Sequence, residues 1–200
     1  MKENRKKDVR QLRAKITEFT TRQDSEVPHI SGYFAVFNSV YNIGPGMSES
    51  IARGAFSSSL GSDIRALTNH DTSKVLGRTK AGTLTLREDE KGLWGDISIN
   101  PQDVDAMNTW HRVKRGDVSQ CSIGFEILRE DTEMGPDGAI HWTIQEVKLY
   151  EVSVCTFPAY EDTNISARSR QRDRIRKGDQ NLEAWKRRMI VQLKGREKNE

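Results

Sequence analysis

Three observations predict a mainly β fold for this chain, a barrel or a sandwich. Strand-like runs follow one another at intervals of about eight to twelve residues. Glycine, proline, asparagine and aspartate cluster between them as turn signals. In the body of the chain one stretch, 101–115, carries a clear helical start, period and stop.

Residues 8–20, DVRQLRAKITEFT, partly alternate at Leu12, Ala14 and Ile16 and are read as a first strand. TRQDSEVP is a polar connection. HISGYFAVFN, 29–38, is a strong strand, with Tyr33, Phe34, Val36 and Phe37. NSVYNIGPGMSES reads as a glycine- and serine-rich loop, and IARGAFSSSL has room for one short helix. IRALTNHD is a short strand ending in a polar cluster. VLGRT and GTLTLRED have β character, and GLWGDISIN, 92–100, alternates at Leu93, Gly95, Ile97 and Ile99. In the helix at 101–115, Asn100 is the expected N-cap and Pro101 the first helical residue. Val104, Met107 and His111 form its apolar face, and Gly116 is the stop. SQCSIGFEI opens the next strand, EDTEMGPDGAIH is a hairpin-like loop, and IHWTIQEVKLYEVSVCTF supplies one or two more strands.

The totals narrow the class. The chain has 200 residues, 30% of them charged, and a net charge of +3. From Arg168 onward there are 12 Lys/Arg against 5 Asp/Glu, so the body is mildly acidic and the tail basic. Within the tail, QNLEAWKRRMIVQL is read as a helix with Leu182, Trp185, Met189 and Leu193 on one face. A solvated tail and a segment docking on a partner or nucleic acid both stay open. No apolar run approaches the ~18 residues of a membrane span. The charged N-terminus does not resemble a signal peptide, so the expected compartment is the cytosol. Cys121 and Cys155 sit in strand-like apolar runs and are expected as buried thiols. His29, His70, His111 and His141 show no zinc spacing, and no metal or cofactor is expected.

Candidate chemistry starts at residues 119–127. Alternation puts Cys121, Ile123, Phe125 and Ile127 on an apolar face, with Ser119 on their side. It puts Gln120, Ser122, Gly124 and Glu126 on a polar one. A strand glycine marks a close approach, so Ser122 is the hydroxyl best placed to meet a substrate. Cys121 stays open, because a thiolate is a good nucleophile. His70 ends a short strand, where an imidazole is both held and reachable. Glu151 interrupts the apolar run VKLYEVSVCTF, and a carboxylate there calls for a polar or cationic partner such as an imidazole. Glu146 and Asp71 compete for that role.

These runs carry a resemblance. ISGYFAVFN, SIARGAF, LTNHDTSKVLGRT with GTLTLREDEKGLWGDISI, VKRGDVSQCSIGFEI and VKLYEVSVCTFPAYEDT occur in an order and spacing that resemble the prohead maturation proteases of tailed bacteriophages. Those are serine peptidases related in fold to herpesvirus assemblin. The likeness covers about Ile30 to Arg168. It divides the chain into an N-terminal strand and extension (1–28), a prohead protease domain (29–168) and the basic tail (169–200). NHD-T followed by V-x-G, and CSIG, also echo assemblin itself.

The resemblance implies His70 as general base and Ser122 as nucleophile, ahead of Cys121 and Ser119. The herpesvirus enzymes use a second histidine as third member. No histidine follows Ser122 at a comparable distance; His141 is nearer and sits at a turn, and Glu151 is placed in the role instead. The implied fold is a closed, mainly antiparallel β-barrel with flanking helices, assemblin-like, with 101–115 as one of them. The implied activity is a serine endopeptidase cutting scaffold protein, or the scaffold-like segment of the major capsid protein, and itself. It would act in the host cytoplasm inside the assembling prohead, as a monomer or a homodimer, without cofactor or membrane. The rival reading is a non-catalytic scaffold or internal capsid protein with a protease-like fold. A nucleic-acid module is disfavoured, since the basic residues lie in the tail.

Overall fold

The computed structural model describes residues 10–14, 19–22, 27–157 and position 177. The chain divides into two units, Met1–Tyr160 and Glu161–Glu200. The predicted tail helix lies outside the described residues.

Eleven strands and one α-helix are described: β1 (Arg10–Ala14), β2 (Thr20–Arg22), β3 (His29–Val36), β4 (Tyr41–Gly44), β5 (Met47–Ile51), β6 (Arg65–Thr68), β7 (Asp71–Arg78), β8 (Leu84–Glu88), β9 (Gly92–Ser98), α1 (Val104–Arg115), β10 (Gln120–Met134) and β11 (Ile140–Cys155). They form two sheets. The smaller runs β2-β3-β9-β8 and the larger β1-β10-β11-β5-β4, with β6 and β7 attached to it through β11. β11 has β10 along one edge. Its other edge is shared in sequence by β5, parallel at Ile140–Ile144, and β6, parallel at Glu151–Val154.

This corrects the expected closed antiparallel barrel. Among the described residues neither sheet closes on itself, and both strands along one edge of β11 pair with it in parallel. The β character was legible because strand alternation is local. Closure and strand direction depend on long-range pairing, which alternation does not report.

The apolar faces of both sheets meet in one core. Ile30, Phe34, Leu93 and Ile97 from the small sheet join Ile123, Phe125, Val152 and Val154 from the large one. Cys121 sits at that junction, buried, with its thiol donating to the carbonyls of Tyr33 at 3.3 Å and Phe34 at 3.6 Å.

Several local expectations shift. The glycine- and serine-rich stretch after Asn38 is a hairpin, β4–β5, turning at Pro45-Gly46. The stretch from Arg53 to Ser62 forms successive turns, with i→i+3 bonds at Ser57, Ser59 and Ser62, in place of a helix. β10 continues through the predicted loop as far as Met134. The helix starts at Val104, not 101. Asp103 is its cap, accepting from the N–H groups of Asp105 and Ala106, while Asn100 closes the turn before it by accepting from Gln102 N–H. The buried stripe of α1 is Ala106, Thr109, Trp110 and Val113; Val104 and His111 face solvent. Trp110 reaches the carbonyl of His29 with its indole N–H, and Thr109 meets Thr68 at 3.3 Å. These contacts set α1 beside β3 and the end of β6.

Candidate active site

The site is built on the end of the β10–β11 ladder. Ser122 pairs with Ser153 and Gly124 with Glu151, in unbroken antiparallel register. Directly opposed residues share a face, with Cβ atoms about 4.5–5.5 Å apart. Ser122, Gly124, Glu151 and Ser153 therefore present their side-chain positions on one small patch. Gly124 is required there: a Cβ at this position would lie 3.0 Å from Cγ and Cδ of Glu151, and closer still to Oε1. The close approach that a strand glycine signals is thus that of the Glu151 carboxylate.

His70 comes from the neighbouring hairpin. β6 and β7 are joined by a two-residue turn, Asn69-His70, with Thr68 paired to Asp71 across it. Both turn residues are left-handed, with φ of 53° and 59°. This matches the I′ geometry that two-residue hairpins favour, where asparagine is tolerated well and histidine is enriched relative to most residues. Asn69 ties the turn to the end of β11. Its N–H donates to the Val154 carbonyl at 3.0 Å, and its Oδ1 accepts from Thr156 N–H at 2.8 Å. Since β6 lies parallel to β11, the turn delivers His70 above Glu151.

The contact is short: His70 Nδ1 and Glu151 Oε1 are 2.6 Å apart, with each side chain 14% exposed. A carboxylate accepts, so Nδ1 carries the shared proton and Nε2 holds the basic lone pair. Nε2 is buried and finds no hydrogen-bond partner among the described residues. The second carboxylate oxygen, Oε2, accepts from the Ser153 hydroxyl at 2.6 Å. That hydroxyl in turn accepts from His70 N–H at 3.2 Å.

The structure thus brings His70 and Glu151 into direct contact and sets Ser122 one strand away on the same face. The competitors go elsewhere. Asp71 is occupied by its own turn, accepting from the N–H and hydroxyl of Ser73, which hold its carboxyl below the usual carboxylate range. Glu146 lies opposite Arg129, well up the ladder. His141 sits ten positions before Glu151, about 33 Å away along the strand at ~3.3 Å per residue. Ser119 is exposed ahead of β10, while Cys121 points into the core.

One expectation is corrected in detail. The Ser122 face was read as polar and best placed to meet a substrate, yet Ser122 and Ser153 are both fully buried. Serine and glycine are small, so the face they leave is filled by the Glu151 side chain. Cys155, at the end of the same ladder, feels the same environment: burial, then Cys121 and Glu151, push its thiol up to about 12. The residue that sequence reasoning passed over is Ser153. Its signal was present, because it stands two positions after Glu151 in EVSV and so shares its face.

Residues 14–178 match a family model described as caudovirus prohead serine protease. The chain belongs to that family. It is similar to the prohead protease of Enterobacteria phage HK97, at 32% identity over 155 residues, covering 76% of this chain and 64% of that protein. The match thus spans less than two thirds of that relative's length. Among solved structures, the chain is similar to the bacteriophage T4 capsid assembly protease, gp21, at 8% identity and a TM-score of 0.42, over 74% of this chain and 94% of that one. Ser122, His70 and Glu151 all fall inside the segment matched to the prohead serine protease family.

Proposed function

We propose that this chain is a serine endopeptidase of prohead maturation, with Ser122 as nucleophile, His70 as general base and Glu151 as the carboxylate that orients it. The observation that carries this reading is the 2.6 Å bond between His70 Nδ1 and Glu151 Oε1, held across one strand pair from Ser122.

The mechanism follows from the tautomer. With the Nδ1 proton held by Glu151, Nε2 takes the Ser122 proton as Oγ attacks the scissile carbonyl. The tetrahedral intermediate collapses, the amine leaves with the proton returned by Nε2, and an acyl-serine remains. Water then repeats the sequence and frees the acid. Glu151 stabilises the imidazolium in both halves. Cys121 is the poorer nucleophile here, because its thiol is bonded into the core.

The substrates proposed are scaffold protein or the scaffold-like segment of the major capsid protein, and the protease itself, cut inside the assembling prohead in the host cytoplasm. Family membership and the name of the HK97 relative support this. The test is co-expression with the phage's capsid and scaffold proteins, followed by intact-mass analysis of the assembled particles. Shortened capsid or scaffold chains with the parent, and full-length chains with Ser122→Ala, are expected. Full-length chains in both would instead favour a non-catalytic assembly component.

A further inference from the structure

We infer that Ser153 is a positioning residue for the His70–Glu151 pair, so that the working unit has four members. The inference rests on the reading of that pair given above.

Ser153 stands in the apolar end of β11, between Val152 and Val154, and is fully buried. An alanine would pack as well at that spot, so the hydroxyl needs its own explanation. It is used twice, on the carboxylate that binds the imidazole and on the main chain that carries it. As donor it binds Glu151 Oε2 at 2.6 Å, and as acceptor it takes His70 N–H at 3.2 Å.

Each bond removes a different freedom. Glu151 Oε1 is engaged by the ring of His70. With Oε2 engaged as well, the carboxylate plane is fixed, and so is the line along which Nδ1–H must point. The bond to His70 N–H pins the main chain of a residue held at a φ of 59°. Without it, that turn has one tether fewer against β11, and the ring can tilt about its anchor. Both effects decide where Nε2 aims. Ser153 is also the register partner of Ser122, so the residue that aims the base lies directly across from the proposed nucleophile.

The experiment is proton NMR in a Ser122→Ala background, in which self-cleavage cannot confuse the spectrum. The reporter is the low-field resonance of the His70 Nδ1 proton, assigned by its loss in a His70→Ala variant. The resonance is expected in Ser122→Ala, and is expected to move upfield and broaden through faster exchange in Ser122→Ala/Ser153→Ala. Ser153→Cys keeps nearly the same size with a weak donor, and is expected to be intermediate; it replaces the alanine variant if that one does not fold. With Ser122 restored, Ser153→Ala is expected to self-cleave about 10- to 100-fold more slowly, as a misaimed base would. A resonance unchanged by both Ser153 substitutions overturns the positioning role, even if thermal stability drops. No low-field resonance in Ser122→Ala itself overturns the underlying His70–Glu151 reading, and this inference with it.

Discussion

β11 carries two histidine–serine clusters, one near each end. Near its start, His141 lies between two hydroxyls, with Ser48 2.8 Å from Nδ1 and Ser50 2.9 Å from Nε2. Near its finish, Glu151 and Ser153 hold His70, whose Nε2 is buried without a partner among the described residues. Both clusters bring serine and histidine together on neighbouring strands. In the first, both ring nitrogens are occupied by hydroxyls, and among the described residues no carboxylate fixes the tautomer. In the second, a carboxylate fixes the tautomer and one lone pair is left over. Proximity of serine to histidine is therefore a poor sign of an activated nucleophile. On the reading proposed, the carboxylate and the lone pair left over distinguish a base from a structural bridge.

The largest expected contrast comes from removing each histidine. His70→Ala should lower self-cleavage by on the order of 10⁵–10⁶-fold, the scale of losing the base of a triad. His141→Ala should leave the rate within about threefold and show instead a stability loss of roughly 1–2 kcal/mol, since the part-buried Ser48 and Ser50 hydroxyls lose their partner. Rates from time-resolved intact mass and midpoints from urea denaturation check both halves. Comparable rate losses at the two sites would erase the distinction.

Glu151→Gln is next. An amide keeps the shape but removes the charge that stabilises the imidazolium, and it can present N–H₂ to Nδ1 and reverse the tautomer. Self-cleavage should fall by on the order of 10³–10⁴-fold with little change in the urea midpoint. A rate near that of the parent would remove Glu151 from the unit and leave the two clusters chemically alike.

Gly124→Ala is a steric route to the same end. The added methyl falls on the Glu151 carboxylate and must displace it. The rate should drop by about 10²-fold, with roughly 1–3 kcal/mol of stability lost to overpacking. A well-tolerated alanine would mean that the carboxylate has room it is not seen to use.

The smallest effect concerns pH. Cys155 ionises near 9 when exposed and at about 12 in the fold. The folded state thus keeps a proton that the unfolded state gives up, so this group's contribution to stability is intact below pH 9. It declines as pH rises from 9 towards 12. By pH 11 the loss should reach roughly 1–3 kcal/mol, and Cys155→Ala should be spared it. Urea titrations of the two proteins at pH 8 and pH 11 measure the difference. Parallel losses would show that the end of β11 is better solvated than its burial indicates.

The sequence announced these features unevenly. Three of the four strands of the small sheet, β3, β8 and β9, were legible from alternation and turn residues, because each buries one face in a simple way; β2 fell largely in the stretch read as a polar connection. Ser122, His70 and Glu151 were legible as oddities, a hydroxyl beside a strand glycine, a histidine at a strand end and a charge in an apolar run. The resemblance joined them. Beyond sheet closure and strand direction, other features were not legible, each for a physical reason. β4 and β5 hid in glycine- and serine-rich sequence, since β5 pairs with β11 far along the chain and local propensity does not register that partner. The face of α1 was misjudged, because Val104 and His111 were read onto it, while the buried stripe includes Thr109, packed against Thr68. Ser153 was passed over because a lone serine among valines suggests only a small residue, until its two hydrogen bonds are seen.

The central claim is that Ser122 is the nucleophile, and the most direct test is intact mass over time for the purified full-length chain beside Ser122→Ala and Cys121→Ala. Discrete truncation in the parent and in Cys121→Ala, with none in Ser122→Ala, is the result predicted. Truncation that persists in Ser122→Ala and vanishes in Cys121→Ala would contradict it and move the chemistry to the thiol one residue earlier.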